Sequence, residues 1–259
     1  MPEEIRLERD RDIATLTLDR PEKLNALTRS MWRALGGTLA EVGRDPGVRC
    51  LVLRGAGDRS FSPGNDIDEF ASERSDVAQA KAYGEDIART LAAFRDCPTP
   101  LVALIRGICV GGGLEIAAMC DLRICGQSSR FGVPVARLGL VMAPPELEGL
   151  IDLVGRATAL EILLEGRVFA AEEALRKGLV TRVVPDDQAE AEAYAAARRI
   201  ADGAPLVARW HQKFARRLAD PRPLAEAELD EGYACYGTED FRTGYRAFLE
   251  KRKPAFEGR

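Results

Sequence analysis

Arg106-Gly107-Ile108-Cys109-Val110-Gly111-Gly112-Gly113-Leu114-Glu115-Ile116-Ala117-Ala118-Met119-Cys120-Asp121 is the stretch that decides how the chain is read. Before it, Leu101-Val102-Ala103-Leu104-Ile105 follows Pro98 and Pro100 and reads as a short buried strand. After the glycines, residues 114–119 are apolar helix formers interrupted by one acid, which reads as a buried helix. The three glycines therefore fall where a strand hands over to a helix N-terminus. Glycine there lets backbone approach a ligand, and the first helical N–H groups have no partner within the helix. Such donors, at the positive end of the helix dipole, suit an anion or a developing oxyanion. Glu115 stands in the first turn, where burial would raise its pKa and the helix N-terminus would lower it. A carboxyl beside oxyanion donors makes an acid/base site. Taken alone, the same residues also describe a tight turn and an acid that offsets a helix dipole.

The surroundings of this stretch are those of an α/β protein. Residues 5–19 predict a β-hairpin turning at Asp10-Arg11-Asp12, and Thr28 is placed to cap a helix over residues 29–42. Residues 48–54 predict a strand ending at Gly55-Ala56-Gly57, followed by a second glycine-bearing loop, Phe61-Ser62-Pro63-Gly64-Asn65-Asp66-Ile67. Helices to Arg95, the central stretch and a strand at residues 122–125 complete an order that calls for parallel crossovers. Ligands of such sheets lie beyond the carboxyl ends of the strands. From Leu147 onward the pattern is helical, with one strand-like break at residues 179–185. A boundary near Pro185 divides the chain into an α/β core, 1–185, and a helical region, 186–259.

Composition narrows the classes. A chain of 259 residues, 46% hydrophobic and 30% charged, buries a large core and is not disordered. A formal net charge of −4 offers no electrostatic attraction to nucleic acid. The most apolar window, residues 101–120, carries Arg106 and Glu115, which argues against a membrane span. Six cysteines without a CxxC predict reduced thiols and a cytoplasmic setting. Met1 leads directly into charged residues, so no signal peptide is expected. His211 is the only histidine and sits between Trp210 and Gln212, which leaves no Ser-His-Asp triad, and no metal site is expected.

Five fragments in order carry a resemblance: Arg20-Pro21-Glu22-Lys23-Leu24-Asn25-Ala26-Leu27; Phe61-Ser62-Pro63-Gly64-Asn65-Asp66-Ile67; the central Gly111-Gly112-Gly113-Leu114-Glu115 through Cys120-Asp121; Phe131-Gly132-Val133-Pro134; and Phe248-Leu249-Glu250-Lys251-Arg252-Lys253-Pro254-Ala255-Phe256. Together they resemble the enoyl-CoA hydratase/isomerase (crotonase) superfamily over nearly the whole chain. The resemblance implies a ββα spiral core with a C-terminal helical trimerisation region, assembly as a homotrimer or homohexamer, and acyl-CoA thioester substrates. Coenzyme A would enter as part of the substrate, with no separate cofactor. The resemblance also implies an oxyanion hole made by the backbone amides of Asn65 and Gly112. It makes Lys23, Leu24 and Ala26 candidates for the nucleotide end of the substrate, and Asp66, Ile67 and Asp68 for the thioester end. Lys251 holds the tail position that reaches a neighbouring subunit's CoA.

One departure bears on the reaction. Hydratases of the family place two glutamates around one water; Glu115 matches the first, and the position of the second, after Pro134, is Val135. The loop that follows is Val141-Met142-Ala143-Pro144-Pro145-Glu146, where Pro144-Pro145 predicts a helix start and puts Glu146 in its first turn. Glu146 is therefore the candidate second acid. The expected reaction is hydration of an enoyl-CoA. The alternatives are a single-carboxylate decarboxylase or hydrolase acting on an acyl-CoA or β-diketone, or a catalytically silent CoA-binding homologue.

Overall fold

The computed structural model describes residues 4–259. Its strands are β1 (Ile5–Asp10), β2 (Ile13–Leu18), β3 (Cys50–Gly55), β4 (Ser60–Ser62) and β5 (Leu101–Ile105), then β6 (Ile108–Val110), β7 (Leu122–Gly126), β8 (Arg130–Gly132), β9 (Phe169–Ala170) and β10 (Arg182–Val184). The α-helices are α1 (Arg29–Arg44), α2 (Phe70–Glu73), α3 (Val77–Asp96), α4 (Gly112–Ala118) and α5 (Pro144–Glu165), then α6 (Ala171–Arg176), α7 (Ala189–Ala201), α8 (Pro205–Ala219), α9 (Glu226–Glu231) and α10 (Glu239–Leu249). A six-stranded sheet runs β1-β2-β3-β5-β7-β10, parallel except for the β1/β2 hairpin. A smaller sheet runs β4-β6-β8-β9, with β4, β6 and β8 parallel and β9 antiparallel.

Both faces of the large sheet are covered, which is why its central strands read as unbroken apolar runs. Alternate residues divide between two cores. Leu51, Leu53, Leu101 and Ala103 join Trp32, Leu35 and Leu39 of α1 and Ile87, Leu91 and Phe94 of α3. Cys50, Val52, Val102 and Leu104 face the other way, against Ala189, Ala193, Ala196 and Ala197 of α7. A helix whose buried face is alanine lies close to the strands beneath it.

The hairpin, the large-sheet strands and the Thr28 cap match expectation; Thr28 Oγ1 accepts from the Met31 amide at 3.2 Å. Thr28→Ala should cost about 1 kcal/mol of stability, read from the urea midpoint. The second sheet is not visible in the sequence, because strands of three residues are too short to show a period. Hence a correction: β5 does not lead straight into the glycines. The chain leaves β5 through Arg106-Gly107, forms β6 in the second sheet, and only then enters α4. Helix α7, beyond the expected boundary at 185, covers one face of the large sheet. What stands apart is α8 onward: α8 buries no residue fully, and Leu218, Leu229, Tyr233, Tyr236 and Phe248 are exposed. Helix α5 is broken at Gly155, where φ is 75° and ψ 158°. Among the described residues no helix is long and apolar enough to cross a membrane.

Candidate active site

The loops after β4 and β6 leave the same end of two adjacent parallel strands, which brings residues 63–66 beside residues 111–113. At Gly64, φ is +99°, and a Cβ there would lie 2.8 Å from the Gly112 nitrogen. Only glycine permits that conformation and that approach without strain. The next residues pair with Leu27: its amide donates to Gly64 O at 2.8 Å, and the Asp66 amide donates to Leu27 O at 2.8 Å. This bridge is parallel and centred on Asn65, so the Asn65 N–H points away from Leu27. Gly112 is the first residue of α4, so its N–H has no acceptor within the helix. Among the described residues neither amide donates to another backbone carbonyl.

Trp32 holds the two loops in place. Helix α1 buries it completely, and its Nε1 donates to Asn65 Oδ1 at 2.6 Å. A Cβ on Gly112 would meet its ring edge at 3.1 Å. Trp32→Phe keeps most of the packing but removes the donor, leaving an amide oxygen unpaired. Melting should report a loss of about 1–3 kcal/mol, and turnover should fall as the loop carrying Asn65 loosens.

Asn65 and Gly112 line a cleft of about 90 Å³ together with Glu115, Glu146, Arg74 and Val135. Glu115 is 6% exposed, and its Oε2 has no hydrogen-bond partner among the described residues. Its pKa is pushed up to about 8, first by burial and then by the nearby Glu146 charge, with Arg74 opposing. Burial wins over the helix N-terminus, the contest left open at the level of sequence. Glu146 lies in the first turn of α5, as expected, and its pKa is raised by burial. Its Oε2 accepts from the Ala143 amide at 3.2 Å, which caps the helix and fixes the carboxyl. Two acids of different burial therefore share one small space. The arrangement can hold a proton at neutral pH and pass it to a bound molecule.

The structure separates the other candidates. Ile67 lines the cleft, but Asp66 and Asp68 do not. Asp66 is buried and paired with Arg20 at 3.0 Å, and its Oδ1 caps the turn at the Asp68 amide. Asp68 is exposed and paired with Lys23 at 2.6 Å. Both carboxylates are thus engaged by cations, Asp66 by Arg20 and Asp68 by Lys23, on the segment that runs on from Asn65. Lys23, Leu24 and Ala26 lie on the loop that leads to Leu27, outside the cleft but tied to Asn65 through the Leu27 bridge. Leu24 takes a left-handed conformation there, φ 55°. Lys251 lies in the exposed turn after α10 and is not brought to the cleft within one chain. His211 lies exposed on α8. Sequence reading missed Trp32, Phe70 and Arg74. Trp32 looks like any core residue of an amphipathic helix, and Arg74 sits in a charged segment that gives no hint of a cleft.

Parallel strands delivering two glycine-bearing loops to one acid-lined cleft define a crotonase fold. The chain belongs to the enoyl-CoA hydratase/isomerase family, whose sequence model matches residues 8–259. It is 35% identical to a probable enoyl-CoA hydratase of Mycobacterium bovis over 99% of each chain. It is also 35% identical to the (E)-benzylidenesuccinyl-CoA hydratase of Thauera aromatica, over 98% of this chain and 99% of the relative. Among solved structures, an enoyl-CoA hydratase/carnithine racemase from Magnetospirillum magneticum superposes with a TM-score of 0.98. That relative is 48% identical and the match covers 100% of this chain and 97% of that one. The protein is an acyl-CoA-processing enzyme of the crotonase type.

Proposed function

We propose that the enzyme adds water across the α,β double bond of an enoyl-CoA thioester. The observation that carries this reading is the pair of acids, buried Glu115 and half-buried Glu146, on a cleft edged by the free amides of Asn65 and Gly112. The thioester oxygen would accept from both amides. Glu146 takes a proton from water, the water oxygen bonds to C3, and the C2=C3 electrons move onto the thioester oxygen as an enolate. Glu115, protonated at neutral pH, then gives its proton to C2 as the carbonyl re-forms. The sum is one water added and a 3-hydroxyacyl-CoA released; proton exchange between the acids and solvent resets the pair. The amides act where charge develops, and losing one such donor typically costs about 3–4 kcal/mol of barrier.

A second reading has its own support. Glu146 already accepts from the Ala143 amide, and Val135 occupies the wall where the family's second acid would stand. Glu115 alone would then suit a single-acid reaction such as decarboxylation or thioester hydrolysis. Glu146→Gln separates the two. In the hydratase reading it lowers kcat on crotonyl-CoA about as much as Glu115→Gln does, and the double variant is little worse than either. Wild-type turnover in Glu146→Gln would leave Glu115 as sole acid. A panel of crotonyl-, malonyl- and 3-oxoacyl-CoA esters then identifies the reaction, and binding without any turnover would point to a silent homologue.

The same reading places the nucleotide end of the substrate along Lys23, Leu24 and Ala26, with Lys251 supplied by a neighbouring subunit to its phosphates. Assembly into trimers or dimers of trimers fits the exposed apolar side chains of the last helices. Light scattering at micromolar concentration should give three or six times the monomer mass; monomer alone would refute it.

A further inference from the structure

Arg74 lines the cleft beside Glu115 and Glu146, yet the proton transfers above make no use of it. Its guanidinium carbon lies 4.8 Å from the Phe70 ring centroid and 4.9 Å from that of Tyr83. Nη1 is fully buried and has no hydrogen-bond partner among the described residues. The neighbouring carboxylates are already engaged. Glu73 pairs with Arg29 at 2.7 Å, and Glu69 accepts from the Arg29 amide at 2.9 Å and from the Tyr83 hydroxyl at 3.1 Å. Glu115 Oε2 is likewise buried and unpartnered, so the guanidinium and this carboxyl share the cleft without bonding to each other.

A cation held between two rings, with one buried donor unspent, is a binding group rather than a surface charge. An acyl chain ending in a methyl group offers Nη1 no acceptor and would leave it unpaired, which is costly. A carboxylate on the acyl chain would pair with it through charge-assisted hydrogen bonds, for which the planar fork of arginine is suited. The two acids would repel a second anion if both were ionised; burial keeps a proton on Glu115, which lowers that repulsion.

We infer that Arg74 selects acyl-CoA esters whose acyl group carries a second carboxylate, the monothioesters of dicarboxylic acids. The inference deepens the acyl-CoA reading of the cleft and rests on it, but not on hydration being the reaction. The experiment therefore measures binding of saturated esters, which cannot be hydrated, by calorimetry on the assembled enzyme. Matched pairs are succinyl- against butyryl-CoA and glutaryl- against valeryl-CoA. In at least one pair the carboxylated ester should bind about tenfold to a hundredfold more tightly. Arg74→Met should bring the two affinities together, and Arg74→Lys should keep part of the difference. Equal affinities in both pairs for the wild-type enzyme would overturn the inference, with no dependence on how the variants fold. So would a preference that survives in Arg74→Met. Failure of every ester to bind would instead refute the acyl-CoA reading on which the inference stands. Turnover of crotonyl-CoA tests hydration separately.

Discussion

Gly64→Ala is expected to cut kcat by at least about 10²–10³-fold, the typical effect of losing one oxyanion donor. The added Cβ would sit 2.8 Å from the Gly112 nitrogen, where the substrate oxygen would need to approach, and the backbone at φ +99° would be strained as well. Strain of this kind costs about 1–3 kcal/mol, so some stability should go with the activity. Gly57→Ala supplies the control. Gly57 also has a positive φ, +75°, but nothing lies within 4 Å of its virtual Cβ. That variant should lose stability while turnover stays close to wild type. Equal activity losses in the two variants would mean that backbone strain, not the blocked amide, explains the effect. The assay is steady-state turnover of crotonyl-CoA, with melting temperature measured on the same samples.

Glu115→Gln should produce a different pattern: less activity and more stability. Turnover should fall about 10²–10⁴-fold, since glutamine keeps the size and the polar edge but cannot carry the proton. The stability change follows from linkage. Burial lifts the Glu115 pKa from an ordinary 4.5 to about 8, so the folded chain holds a proton that the unfolded chain releases. Its contribution to stability is fully present below the unfolded value and is lost as pH rises toward the folded one. Glutamine has no proton to lose. The variant's advantage in melting temperature should therefore be small near pH 5 and grow toward about pH 9. A difference that does not change with pH would mean that Glu115 titrates normally in the folded protein.

Much of this was legible in the sequence, for reasons that can be named. The central strands announce themselves because residues such as Val52 and Leu53, buried on opposite faces, leave no polar alternation to blur the run. Glu115 and Glu146 were legible because a glycine run and a proline pair mark the helix starts that carry them. The second sheet was not legible, since Ser60–Ser62 and Ile108–Val110 derive their strand character from each other and not from local pattern. The ion pairs of Asp66 and Asp68 were not legible for a related reason. Their partners Arg20 and Lys23 lie more than forty residues away in the chain, and ion pairing at that separation leaves no local trace. Arg74 depends on Phe70 and Tyr83 together, a contact that only the turn between α2 and α3 creates.

The break at Gly155 divides α5 into a front piece that carries Glu146 and a rear piece anchored in the core by Ala159 and Ile162. A continuous helix transmits rotation along its length; a residue with φ 75° and ψ 158° does not, so side chains before and after it follow separate helical phases. The front piece has its own hold on the core: Leu150 is buried, and Leu147, Ile151, Leu153 and Val154 pack against the same cluster. Because the helical phase is interrupted at Gly155, it is these contacts, and not the rear piece, that set how Glu146 is aimed into the cleft. For anyone redesigning the chemistry, a new proton carrier belongs at a cleft-facing position of this piece, with its apolar contacts kept.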